Sequence, residues 1–148
     1  MNKKGIAVAG NMIVDILYPI NGMPKPGELT TITADASRSS GGALCNDILD
    51  LALLDPELPL VALGRVGNDP EGDFVMDKLR AHKNIDLQHV ITEGSTSMTL
   101  VMADEITKQR TFYHSRGGNA KFSEADIPWD KLDVDMLHIG YILLLDVL

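Results

Sequence analysis

Four clusters in the sequence carry residue types that can hold a small polar ligand. The first is Gly10-Asn11 with Asp15, directly after a short apolar run. A carboxylate accepts hydrogen bonds, while a carboxamide both donates and accepts. Asn11 and Asp15 can therefore hold a vicinal pair of hydroxyls. The same residue types also bond their own backbone in turns, and position alone leaves both readings open. The second cluster is Ser39-Ser40-Gly41-Gly42-Ala43-Leu44-Cys45-Asn46. Gly41 and Gly42 permit close backbone approach to a ligand. The helix expected after them presents free N–H groups. Asn46 falls in its first turn, on the face that carries Asp50 four residues on. A turn followed by a capping or solvent-facing Asn46 is the equal alternative.

The third cluster runs from Gly64 to Gly72. Its glycine spacing of three and then five is not the dinucleotide pattern G-x-G-x-x-G. No Gly-Lys-Ser/Thr occurs in the chain, so there is no Walker A loop. Turn and packing glycines account for this cluster. The fourth is His114-Ser115-Arg116-Gly117-Gly118-Asn119-Ala120. Arg116 can meet an anion or a sugar oxygen, or stay solvated in its loop. His82, His89, His114 and His138 lack metal-ligand spacing, and His138 is expected as a satisfied histidine in a buried strand. Asp133 and Asp135 read as solvated loop carboxylates. No G-x-S-x-G elbow is present. No metal ligand and no catalytic residue is assigned.

The elements that must position these residues follow from periodicity. Ile6 to Ala9 and Leu60 to Leu63 are short apolar runs closed by glycine, and Met136 to Gly140 repeats that pattern; each predicts a buried strand. Ala43 to Leu54 places Leu44, Ile48, Leu51 and Ala52 at helical spacing, and Asp55-Pro56 ends that helix. Asp69-Pro70 has the form of a second helix start, with Asp as cap and Pro at the first helical position. Alternating strands and helices predict βαβ units and a mostly parallel α/β sheet. The Thr-rich runs Leu29 to Ala34, Ser97 to Asp104 and Gln109 to His114 do not fit that alternation. They predict strands set to one side, the last two joined by a hairpin at Glu105 to Lys108.

Composition limits the partners. The 148 residues carry 13 Lys+Arg against 21 Asp+Glu, a net charge of −8. That field repels phosphate backbones and anionic lipid, so nucleic acid and membrane surfaces are poor partners. The lone Cys45 excludes an internal disulfide and a cysteine metal cluster. The basic start Met1-Asn2-Lys3-Lys4-Gly5 is followed by only four apolar residues, against the roughly 7–15 of a secretory signal. A cytoplasmic protein is the expectation.

The order of the motifs is more specific than any one of them. A strand ending near G-x-x-x-x-D (Gly10 to Asp15) is followed by P-x-x-G-E (Pro24 to Glu28). G-G-x-x-x-N (Gly41 to Asn46) and G-x-V-G-x-D-x-x-G (Gly64 to Gly72) come next. This series resembles the ribokinase-like, PfkB-type carbohydrate kinases, and Gly117 to Ala120 is similar to that family's G-A-N-A segment. Leu44 and Ile48 depart from the smaller residues usual there. The resemblance implies a single ribokinase-like α/β domain with a small β lid near 29–34 and 97–114. It also implies ATP-dependent phosphoryl transfer to a hydroxymethyl group of a sugar or nucleoside, with magnesium in the complete enzyme. By resemblance Asn11, Asp15, Gly41, Gly42, Asn46, Arg116 and Tyr141 fall at substrate positions. The family's D-T-x-G-A-G-D motif, which carries the nucleotide site and catalytic base, does not occur in these 148 residues. The expectation is therefore the N-terminal, substrate-binding part of such a kinase, with the C-terminal half missing and no activity on its own. A non-catalytic sugar-binding or structural fragment is the alternative. Self-association is expected through the lid or through Leu143, Leu144, Leu145, Val147 and Leu148.

Overall fold

The computed structural model describes residues 4–148, so the first three residues of the basic N-terminus lie outside the described residues. The chain forms β1 (Ile6–Gly10), β2 (Ile13–Ile20), β3 (Ser37–Gly41), α1 (Ala43–Leu54), β4 (Leu60–Leu63), β5 (Arg65–Val66) and α2 (Pro70–Arg80). β6 (Ile85–Asp86), β7 (Ile91–Thr92), β8 (Ser97–Asp104), β9 (Arg110–Ser115) and β10 (Met136–Gly140) follow. Short 3₁₀ turns fill the segment between β9 and β10.

Strand alternation explains the main layer. In β1, Val8 faces one way and Ala7 and Ala9 the other, yet all three are fully buried. A strand apolar on both faces needs cover on both. Val8 joins Leu44, Ile48, Ala52, Val75 and Leu79 beneath α1 and α2. Ala7 and Ala9 pack with Leu63, Phe122, Ile127 and Leu145 on the far side, where small alanines leave room for the Phe122 ring. β1 is the second strand of a parallel sheet ordered β10-β1-β4-β6.

The capping signal at the second helix is realised. Asp69 accepts from the Gly72 N–H at 2.8 Å and from the Thr96 N–H at 2.8 Å. Burial alone would raise the Asp69 carboxyl, but the hydrogen bonds from Thr96 and Gly72 outweigh it and hold the group below its ordinary value. A Cβ on Gly67 would collide with the Thr96 backbone, which accords with the packing role expected for these glycines.

The strands set to one side form their own sheet, ordered β3-β2-β8-β9. β2 pairs antiparallel with β3 and parallel with β8, and β8 pairs antiparallel with β9. One of its members is not the one expected. Leu29 to Ala34 makes only an isolated bridge, Ile20 to Ile32, with Leu29 97% exposed. The fourth strand is instead Ser37–Gly41, whose outer residues Ser37, Arg38 and Ser39 are exposed. An exposed edge strand is held by its backbone ladder, so it needs no apolar alternation to mark it. Arg38 reaches from this edge to Glu71 of α2 at 2.5 Å and lies 5.2 Å from the Phe74 ring centroid, tying the side sheet to the main body.

β10 also departs from expectation. It is an outer strand, and Met136 is 56% exposed. His138 is not a core histidine: it is partly solvated, with Nε2 2.9 Å from Asp47 Oδ2 on α1. Its register partner Val8 lies under α1, while β10 extends past that cover. Among the final leucines, Leu143 is 90% exposed, whereas Leu145 is buried against Phe122 and Ile127 and is not available to a partner. Among the described residues no helix is long and apolar enough to cross a membrane.

Candidate functional site

The site is built where β1 runs into β2. Gly10 has φ 138°, and a Cβ there would press on the Gly140 carbonyl oxygen at 2.7 Å, so only glycine lets β1 and β10 end side by side. Asn11 follows and is fully buried. Its carbonyl accepts from the Leu44 N–H at 3.2 Å, which docks the turn onto the start of α1. Its side-chain Oδ1 and Nδ2 are both buried and make no hydrogen bond among the described residues. A buried carboxamide left in that state costs about 1–3 kcal/mol, so such a group calls for a purpose.

Asp15 lies in the middle of the side sheet, opposite Ser39 on β3 and Thr99 on β8. Its carboxylate rests over Gly41, where a Cβ would collide with Oδ2. Gly42 has φ 86°, and its missing side chain would strike the Asn11 carbonyl. The two glycines thus have separate duties. Gly41 makes room for the Asp15 carboxylate and Gly42 makes room for the turn at Asn11. Together they carry β3 into α1 close to both side chains. Gly42 as N-cap brings no side-chain acceptor to the first turn of that helix.

The remaining candidates divide. Asn46 is exposed and Tyr141, just past β10 in the left-handed region at φ 52°, is 59% exposed. They share a groove of about 310 Å³ with Ala43, Asp47, His138 and Ile139. Arg116 follows β9 and is ion-paired with Asp146, so its charge is already engaged. Cys45 is no nucleophile here: it is buried, and burial pushes its thiol up to about 12. What the cluster can do is hold hydroxyls. Asp15 supplies an acceptor; the Asn11 carboxamide carries a donor and an acceptor, but both atoms are buried.

Three residues stand at the site without having been assigned a role from the sequence, although His114 and Asn119 fall in the fourth cluster. Asn119 is 1% exposed, accepts from the Met12 N–H at 3.2 Å and donates to the Met12 carbonyl at 3.1 Å. It fixes the backbone between Asn11 and Asp15. Its only signal was its place in the glycine-rich segment after β9. Thr99 and His114 stand beside Asp15 through strand register, which periodicity does not reveal.

A family model described as pfkB family carbohydrate kinase matches residues 3–148. Among solved structures, a ribokinase from Thermotoga maritima aligns with TM-score 0.79 at 24% identity, over 90% of this chain and 43% of that one. A nucleoside kinase from Methanocaldococcus jannaschii aligns with TM-score 0.77 at 17% identity, over 92% of this chain and 44% of that one. A ribokinase from Arabidopsis thaliana, complexed with ribose and ATP, aligns with TM-score 0.62 at 22% identity, over 84% and 38% respectively. At these identities the likeness is one of fold. The chain spans less than half the length of each of these structures. No curated protein sequence matches it.

Proposed function

The chain belongs to the pfkB family of carbohydrate kinases, and on that premise we propose that it is the acceptor-binding part of an ATP-dependent sugar or nucleoside kinase. The reaction of the complete enzyme is phosphoryl transfer to a hydroxymethyl group. Residues 1–148 form part of one ribokinase-like domain, with the side sheet as its lid. The observation that carries this reading is the Asp15 carboxylate lying over Gly41, beside the turn where the Asn11 backbone packs on Gly42 and the Asn11 carboxamide is left without a partner. Asn46 on α1 and Tyr141 after β10 line a separate groove, and Arg116 follows β9; all three are proposed as further acceptor contacts. The ribokinase bound to ribose and ATP supports a sugar acceptor and a nucleotide donor for the family.

The chain's own part is to bind and orient the acceptor. Phosphoryl transfer rests on positioning and on charges that stabilise the transferring group. Among the described residues no group of three or more His, Cys, Asp or Glu could hold a metal ion. The sequence also has no Walker A or D-T-x-G-A-G-D motif to meet nucleotide phosphates. The part proposed for these residues is therefore the acceptor side of the reaction. Titration calorimetry with ribose, fructose and adenosine should give saturable heat for at least one ligand. The same 148-residue chain should give no ATP-dependent phosphorylation. Robust turnover would overturn the separation of binding from chemistry, and no heat with any ligand would overturn the acceptor site.

The working compartment is proposed as cytoplasmic, in keeping with the single reduced Cys45. Self-association completes the proposal. Ile142, Leu143 and Val147 are exposed after β10, Phe112 is exposed on the side sheet, and Leu29 and Ile32 are exposed in the segment that follows β2. Large apolar patches, where such residues adjoin, are covered in most soluble proteins. Sedimentation equilibrium should show a mass that rises with concentration, and Leu143→Glu or Phe112→Glu should lower it. A monomer at every concentration would reject the idea.

A further inference from the structure

The register of the side sheet places four polar side chains in one row. Ser39 of β3 is opposite Asp15 of β2, Asp15 is opposite Thr99 of β8, and Thr99 is opposite His114 of β9. Residues directly opposite on neighbouring strands share a face. Gly41 lies on that face too, one pleat along β3, and the Asp15 carboxylate covers it. The next positions on β2, Val14 and Ile16, turn the other way into the core beneath the helices. The row therefore lies on the face opposite Val14 and Ile16, where Thr99 is itself buried and His114 at the edge strand is exposed.

Thr99 is 8% exposed, and its hydroxyl meets His114 Nδ1 at 3.0 Å. Whichever partner donates in that contact, one donor remains. If the histidine donates from Nδ1, the Thr99 hydrogen is left for a ligand. If Thr99 donates, the Nε2–H of a neutral ring is left. Neighbouring strands stand about 4.8 Å apart. Two hydrogen bonds of about 2.8 Å meeting at one oxygen span a similar distance. A hydroxyl placed between Asp15 and Thr99 can thus donate to the carboxylate while accepting from the threonine. Asp15 alone can take protons from a diol but leaves the diol oxygens without donors.

We propose that Thr99 and His114 are specificity-determining residues that read the ring hydroxyl lying between them and Asp15, supplying the donor that the carboxylate lacks and making the site selective for a vicinal diol over its deoxy analogue. This rests on the acceptor-site reading above. A pocket that hydrogen-bonds a hydroxyl rejects the ligand lacking it, because its own polar groups are then left buried and unpaired.

The test is calorimetry on the 148-residue chain with ribose, adenosine and their 2- and 3-deoxy analogues. The wild type should favour the diol over one deoxy analogue by about tenfold or more, equivalent to about 1.4 kcal/mol. Thr99→Val and His114→Phe should each reduce that ratio severalfold, weakening the diol and tightening the deoxy ligand, which no longer leaves a polar group unpaired. His114→Gln, which restores an amide donor, should recover part of the ratio. A merely structural role would weaken both ligands together and leave the ratio intact, which would overturn the proposal. An undiminished ratio in both variants, with binding still lost in Asp15→Ala, would reject the Thr99–His114 role and spare the acceptor site. No binding by the wild type would overturn both.

Discussion

Replacing Asp15 by alanine abolishes binding of any sugar or nucleoside that the wild-type chain takes up, with the dissociation constant rising at least a hundredfold. Hydrogen bonds to a charged group contribute roughly 1.5–3 kcal/mol each. Two hydroxyls on one carboxylate therefore account for about 3–6 kcal/mol, and a hundredfold corresponds to only about 2.7 kcal/mol. The substitution leaves the fold in place. Asp15 is half-buried on the face of the side sheet that turns from the core, and the carboxylate shields Gly41 without supporting it. Asp15→Ala should melt within a few degrees of the wild type. Asp15→Asn keeps one acceptor oxygen and loses the charge, so it should fall between the two. Calorimetry with the tightest-binding ligand, paired with a thermal melt, makes the measurement. A dissociation constant within threefold of wild type in a folded Asp15→Ala chain would remove Asp15 from the site.

The role argued for Asp15 was within reach of the sequence because it needs only local facts. The residue follows a short apolar run that ends in glycine, and ligands gather beyond the carboxyl ends of such strands. α1 and α2 were legible for a similar reason, since the spacing of Leu44, Ile48 and Ala52 and the Asp69-Pro70 cap are written within one helix. The side sheet was legible only in part. β8 and β9 are long and joined by a hairpin, but β3 is Ser-Arg-Ser-Ser-Gly, with no apolar residue to betray a strand. Its existence depends on the ladder to β2, and the Thr-rich run at 29–34 drew the assignment away from it. The two-residue pair β5 and β7 is equally silent, because its partners lie about two dozen residues apart. Burial at the outer strand was misjudged because an apolar run reports a tendency to be covered, while the actual cover of Met136 and His138 depends on what packs over β10. The polar row from Ser39 to His114 is the strongest case. Each member looks like an isolated surface residue until register sets them side by side.

Asn119→Ala should be the most destabilising polar substitution in the chain, at about 3 kcal/mol. The Asn119 carboxamide is matched to the backbone of Met12, 107 residues away, accepting from its N–H at 3.2 Å and donating to its carbonyl at 3.1 Å. Both residues are inaccessible to solvent, so alanine leaves a buried N–H and a buried carbonyl without partners. Each such group costs about 1–3 kcal/mol. For a domain of this size, 3 kcal/mol lowers the melting temperature by about 6–12 °C. Asn119→Asp separates this account from one based on lost packing. The carboxylate keeps the shape and can still accept from the Met12 N–H, but its second oxygen would face the Met12 carbonyl. It should therefore destabilise at least as much as alanine at neutral pH and recover as the carboxyl is protonated. Urea denaturation with unchanged slope gives the free energies. A loss below about 1 kcal/mol in both variants would show that water or a shifted backbone satisfies Met12 without Asn119. The same substitutions should weaken ligand binding, because Met12 is the link between Asn11 and Asp15. A residue with no reach to the ligand thus sets the distance between the two that hold it.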